Sequence, residues 1–144
     1  MNNLKNKIQE RYPNATFPAP FAQTFNIRFI KLEEGLAQSQ VIVHKDWTNP
    51  FGIAHGGFLF SILEETLGSA ACSVLEKSVY KDIKALSTTN HDIFFHSPAY
   101  PNDQLTIHAN TVSCRKNMIF VEGNIKNQDG VLIAESKGIW FIKR

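Results

Sequence analysis

Concentrated charge, cysteine pairs and long apolar runs are all missing from this sequence. Fifteen Lys and Arg residues against thirteen Asp and Glu leave a formal charge of +2 over 144 residues, without the basic stripe that nucleic-acid binding requires. Small phosphorylated ligands stay open, and nucleic acid is not an expected partner. The two cysteines, Cys72 and Cys114, have no metal-ligand spacing and fall in segments that read as helix and strand, so two reduced thiols are expected. His44, His91 and His96 also lack ligand spacing and read as structural or surface residues. Neither a metal nor a cofactor is implied. No apolar run is long enough to cross a bilayer, and no N-terminal stretch joins a basic head to an apolar core and a cleavage site. A cytoplasmic protein without a membrane partner is the expectation.

What the chain has in quantity is apolar bulk. At 43% hydrophobic content it can bury a substantial core, and its length suits one domain spanning residues 1–144. Eleven phenylalanines suggest large apolar surfaces between layers or between subunits. Met1 to Arg11 has Leu4 and Ile8 at helical spacing, and Pro13, Pro18 and Pro20 then impose a loop. From Phe25 to Lys45 apolar and polar residues alternate around Glu34-Gly35, the pattern of two strands and a tight turn. Asp46 to Ala54 holds Asn49-Pro50 and Gly52 and reads as a loop. Gly57 to about Glu76 carries apolar groups on nearly every face, which predicts a helix buried all round. Ile83 to Arg144 contains β-rich runs broken at Pro98 to Asp103, Arg115 to Asn117 and Asn127 to Gly130, giving four further strands. Two strands, a long helix and four strands predict an α+β fold, an antiparallel sheet wrapped around a central helix, with a short N-terminal helix.

Glu64 and Glu65 lie in the middle of that helix. An ionised carboxylate in an apolar stretch needs a polar cavity, a counter-charge or a raised pKa, and any of these marks a candidate site. Successive helical residues point about 100° apart, so one of the two can reach solvent, and Glu65 is the one assigned to that role. His55-Gly56-Gly57 opens the helix, where unpaired N–H groups and the dipole favour negative charge. The Gly56 N–H could stabilise the oxyanion of a carbonyl group under attack, and a carboxylate could serve as nucleophile or general base. A capping histidine at an ordinary loop-to-helix turn is the plainer reading of His55.

The segment NPFGIAHGGFLFSILEETLGSAA, Asn49 to Ala71, resembles the signature of the PaaI-like hotdog acyl-CoA thioesterases. In that family an Asn or Gln precedes His-Gly-Gly by six positions, and the catalytic carboxylate follows the histidine by nine, which fits Asn49, His55 and Glu64. The resemblance implies the hotdog fold from about Thr24 to Ile142, an acyl-CoA substrate with an aryl or medium-chain acyl group, and a homodimer or dimer-of-dimers tetramer with intersubunit sites. Related subfamilies place the glutamate beside a Gly-Ser pair like Gly68-Ser69, which would select Glu65; the histidine spacing selects Glu64. It further implies that Thr88, in LSTTNHDIFFHSP, helps position the attacking water, that Gly57 lies against substrate, and that Arg115 and Lys116 line the coenzyme A phosphates. A strand threonine and a solvated hairpin end account for Thr88, Arg115 and Lys116 equally well. Phe58, Phe60, Phe94 and Phe95 could line an acyl pocket, but a packed core is expected for most of them. A non-catalytic acyl-CoA-binding hotdog module and a hotdog hydratase or dehydratase are the rival functions; the double glycine favours hydrolysis.

Geometry supplies a separate reason for two subunits. A helix rises ~1.5 Å per residue, which separates Gly56 from Glu64 by about 12 Å. One pair from one chain cannot easily meet the same thioester, whereas Gly56 facing Glu64 of a two-fold mate can.

Overall fold

Alternation along each strand decides which side chains enter the core. The computed structural model describes Asn6, residues 16–76 and residues 83–144. β1 (Arg28–Glu33) and β2 (Leu36–Ile42) pair antiparallel as the expected first hairpin. Gly35 turns it at a φ of 77°, a left-handed conformation that glycine reaches without a Cβ clash. β3 (Ala85–Phe95), β4 (Gln104–Arg115), β5 (Met118–Lys126) and β6 (Leu132–Lys143) complete a six-stranded sheet in the order β1-β2-β4-β5-β6-β3. All its pairings are antiparallel. The four strands expected after the helix are therefore present, and β3, central in sequence, is an edge strand.

A short helix, α1 (Pro20–Thr24), precedes the sheet. Pro20 was expected to break helix, but it sits in the first turn, where its missing N–H has no intrahelical partner to lose. Ala22 is fully buried and its carbonyl accepts the Ile27 N–H at 2.8 Å, fixing α1 to the chain that enters β1. The helix expected over Met1 to Arg11 lies outside the described residues, apart from helical Asn6.

The long helix, α2 (Gly56–Ser73), packs across one face of the sheet. Ile62, Leu63 and Leu67 interlock with Leu105, Ile107, Ile119 and Ile125, all with no solvent exposure. Each such side chain contributes about 1.5–3 kcal/mol relative to an exposed one. Closeness depends on Gly123 of β5: a Cβ there would stand 2.6 Å from Leu67 Cδ1 and 2.5 Å from the His108 carbonyl oxygen. The buried hydroxyls along this face are paired, whereas His91 Nδ1 and Asn124 Oδ1 have no hydrogen-bond partner among the described residues. Ser39 and Thr66 share a 2.7 Å hydrogen bond, and the Gly35 N–H donates to Ser73 Oγ at 2.8 Å, tying α2 to the first hairpin.

α2 is not buried all round. Gly57 is exposed, and Phe60, Ser61, Glu64, Glu65, Gly68, Ser69 and Cys72 are half-buried. These positions recur every three or four residues and form one stripe. Because α2 lies on one side of a sheet, only the opposite stripe can contact strands. Among the described residues no helix is long and apolar enough to cross a membrane.

Candidate active site

The site begins where α2 begins. His55 is its N-cap, with Nδ1 accepting the Gly57 N–H at 2.9 Å, so in the neutral imidazole the proton resides on Nε2. The capping reading of His55 is therefore what the structure contains. The approach to it is fixed by backbone bonds from His55 N–H to the Trp47 carbonyl and from Ala54 N–H to the Ala99 carbonyl, both 2.8 Å. With Gly57 N–H used in the cap, Gly56 N–H has no hydrogen-bond partner among the described residues and is an open donor at the positive end of the helix. Phe95 covers this end, its ring 3.3 Å from where a Gly56 Cβ would stand. Asn49 is half-buried one loop earlier; its Oδ1 accepts the Phe51 N–H at 2.9 Å and so shapes the turn.

Two turns further along α2, Thr88 of β3 donates its hydroxyl to Glu64 Oε1 at 2.7 Å. That contact depends on an irregularity. β3 pairs with β6 in register until Thr88↔Trp140 and then resumes at Asn90↔Ile139, leaving Thr89 as an extra residue. The Thr89 hydroxyl is tied to the Ile139 carbonyl at 3.0 Å. An extra residue reverses the parity of a strand, so Thr88 shares the helix-facing side with His91, Ile93 and Phe95. In an uninterrupted strand Thr88 and His91 would face opposite ways.

His91 was assigned a structural or surface role. It is half-buried against Phe60, with ring centroids 4.4 Å apart, and hydrogen-bonds Ser136 Oγ through Nε2. Burial holds its pKa below the ordinary value, while the charges of Glu64 and Asp92 push the other way. Glu65, expected to reach solvent, is instead half-buried, because α2 turns it toward neighbouring structure; burial lifts its carboxyl above the usual range, and the neighbouring Glu64 charge adds to the rise. Glu64 and Thr88 border a cavity of about 340 Å³ that Phe21, Phe60 and Ser61 also line among the described residues. Phe21 and the parity shift at Thr89 were not legible in the sequence. Neither has a local signal, since one is a contact distant in sequence and the other a single unpaired residue.

Other expected site residues stand apart. Gly56 and Glu64 are on one helix, about 12 Å apart along it. Arg115 and Lys116 are exposed at the β4–β5 turn, Lys116 with a φ of 54°. Cross-strand pairs Thr88↔Trp140, Trp140↔Ile119 and Ile119↔Cys114 put that turn at the same end of the sheet as Thr88. With strands ~4.8 Å apart, it is about 14 Å away. Of the four phenylalanines expected mostly in the core, only Phe58 is buried; Phe94 and Phe95 are 59% and 54% exposed because they end an edge strand. A wider groove of about 810 Å³ on the other face of the sheet, with Glu122, Lys137 and Asp92 in its lining, contains Phe94 but none of the residues expected to take part in catalysis or to bind coenzyme A.

A long helix packed across one face of a six-stranded antiparallel sheet is the hotdog arrangement. Residues 51–134 match the family model of the thioesterase superfamily; the chain belongs to that family and is a thioester hydrolase. A Saccharolobus solfataricus protein assigned as an esterase is 30% identical over 83% of this chain and 80% of its own length. Among solved structures, the E. coli PaaI protein of the phenylacetic acid degradation operon superposes with a TM-score of 0.80 at 23% identity, covering 98% of this chain and 96% of that one. The smu.793 protein of Streptococcus mutans, bound to acetyl CoA, has a TM-score of 0.74 at 20% identity over 82% of this chain and 89% of its own. These likenesses establish the hotdog fold.

Proposed function

We propose that the protein hydrolyses acyl-CoA thioesters, with Glu64 as catalytic carboxylate, in sites shared between two copies of the chain. The observation that carries this reading is the Thr88 hydroxyl on Glu64 Oε1 at 2.7 Å beside an apolar cavity. A donor on one carboxylate oxygen holds the group in place and leaves the other oxygen to act. The acetyl CoA bound by the Streptococcus mutans neighbour supports coenzyme A as the thiol part.

In this mechanism the thioester carbonyl oxygen points at the Gly56 N–H of one copy, which stabilises negative charge as it develops. Glu64 of the partner copy takes a proton from water as water adds to the carbonyl carbon, or attacks the carbon itself through an anhydride that water then opens. The C–S bond breaks, and the departing thiolate takes up the proton. His55, its Nε2 the donor, faces the same region, and the Asn49 amide holds substrate or water. Gly57 permits close approach because it has no side chain. Arg115 and Lys116 bind the phosphates of coenzyme A. The assembly is a homodimer or a pair of dimers.

The test is thiol release from a panel of aryl- and acyl-CoA esters. Glu64→Gln is expected to lower hydrolysis by about 10²- to 10⁴-fold in a folded protein, Thr88→Val to lower it less, and Thr88→Ser to restore it. Undiminished hydrolysis by Glu64→Gln, with loss in Glu65→Gln, would move the role to Glu65.

A further inference from the structure

We propose that Phe21 of α1 is a specificity-determining residue: its ring closes the acyl end of the cavity beside Glu64 and limits the acyl groups that enter. The proposal rests on the acyl-CoA reading above. Of the described residues that line this cavity, Phe60, Ser61 and Glu64 belong to α2 and Thr88 to β3. Among them, Phe21 comes from outside the span that matches the thioesterase family model.

Chemistry decides which part of the substrate fits there. The pantetheine arm carries amides that need hydrogen-bond partners when buried. The wall beyond Glu64 and Thr88 offers two phenyl rings and a serine whose hydroxyl already donates to the Gly57 carbonyl at 2.7 Å. Such a wall suits an apolar acyl group and not the pantetheine arm. At about 340 Å³ the cavity lies near the lower end of the range for ligand pockets, ~300–1,000 Å³, and it opens to solvent on one side.

The ring is held in position. Phe21 packs on Phe25 at 4.7 Å between centroids; Phe25 packs on Trp47 at 5.0 Å and Phe58 at 5.7 Å, and Trp47 stacks on Phe58 at 4.9 Å. This chain of rings fixes α1 to the start of α2. Phe21 itself remains 39% exposed, so shortening it leaves the core intact.

The experiment measures kcat/KM for a series of straight-chain esters from acetyl-CoA to decanoyl-CoA, with phenylacetyl-CoA beside them, for the unmodified protein, Phe21→Ala and Phe21→Trp. Phe21→Ala is expected to move the optimum to longer chains, by up to about fourfold for each methylene newly buried, with the acetyl ester little changed. Phe21→Trp is expected to move it the opposite way. Ratios between esters that stay constant in both variants, or loss of all hydrolysis in variants with unchanged circular dichroism, would overturn the role of Phe21. Failure of the unmodified protein to release thiol from any ester would overturn the acyl-CoA reading along with it.

Discussion

Glu64 and Glu65 share one turn of helix and meet different surroundings. Glu64 receives a hydroxyl and borders a cavity, whereas burial raises the pKa of Glu65 above its ordinary 4.5. Between 4.5 and that raised value the folded chain holds a proton that the unfolded chain has shed, so stability falls as pH rises through the window. The penalty is complete above it. Glu65→Gln should therefore melt at a higher temperature than the parent at neutral pH, with the gap closing below about pH 3.5; a gap that persists unchanged in acid would separate it from the Glu65 charge, and one that widens would show the opposite sign. His91 acts the other way. Its lowered pKa means that protonation is resisted in the folded state, so its contribution to stability is lost as pH falls below the ordinary histidine value of ~6.5. Both glutamates and the His55-Gly56-Gly57 start were visible in the sequence because each breaks an apolar pattern. The histidine spacing selected Glu64 over Glu65, but their different surroundings were not legible, because they depend on which of two adjacent side chains meets Thr88 in the fold.

At the scale of elements, alternation and turn residues revealed the order of strands and helix, and the observed breaks at Gly35, Lys116 and Gly130 fall within the expected turns. The irregular parts escaped. Composition alone made α2 look buried on every side, whereas burial depends on how many layers surround a helix, and here there is one. At Gly123 the sheet and α2 are so close that an added Cβ would meet Leu67 of the helix at 2.6 Å. Gly123→Ala is expected to destabilise the fold by about 1–3 kcal/mol, because the nearer obstacle is the backbone carbonyl of His108, which cannot rotate away. Urea unfolding of the two proteins measures this directly, and an unchanged midpoint would mean that β4 and β5 separate more easily than their register implies.

For the whole molecule, the half-buried stripe of α2 and the free edge of β3 are both surfaces that a second copy could cover. The proposed site requires such a copy, which can be tested by mixing. Gly56→Pro removes the N–H at a helix position that tolerates proline, and His55 already has the extended backbone, ψ of 135°, that a following proline demands. Gly56→Pro and Glu64→Gln proteins should each be inactive, and refolding them together should restore about a quarter of the parent activity, since half the pairs are mixed and each mixed pair has one intact site. No recovery, with mixed pairs demonstrated, would place both groups in one chain's site. The odd residue Thr89 also divides β3 into two stretches that run out of step with each other. The stretch before it aims a hydroxyl at Glu64, and the stretch after it lines the start of α2 with His91, Ile93 and Phe95. Anyone transplanting this site into another scaffold must carry the odd residue along, because a regular strand of the same composition would deliver one half of the wall and turn the other away.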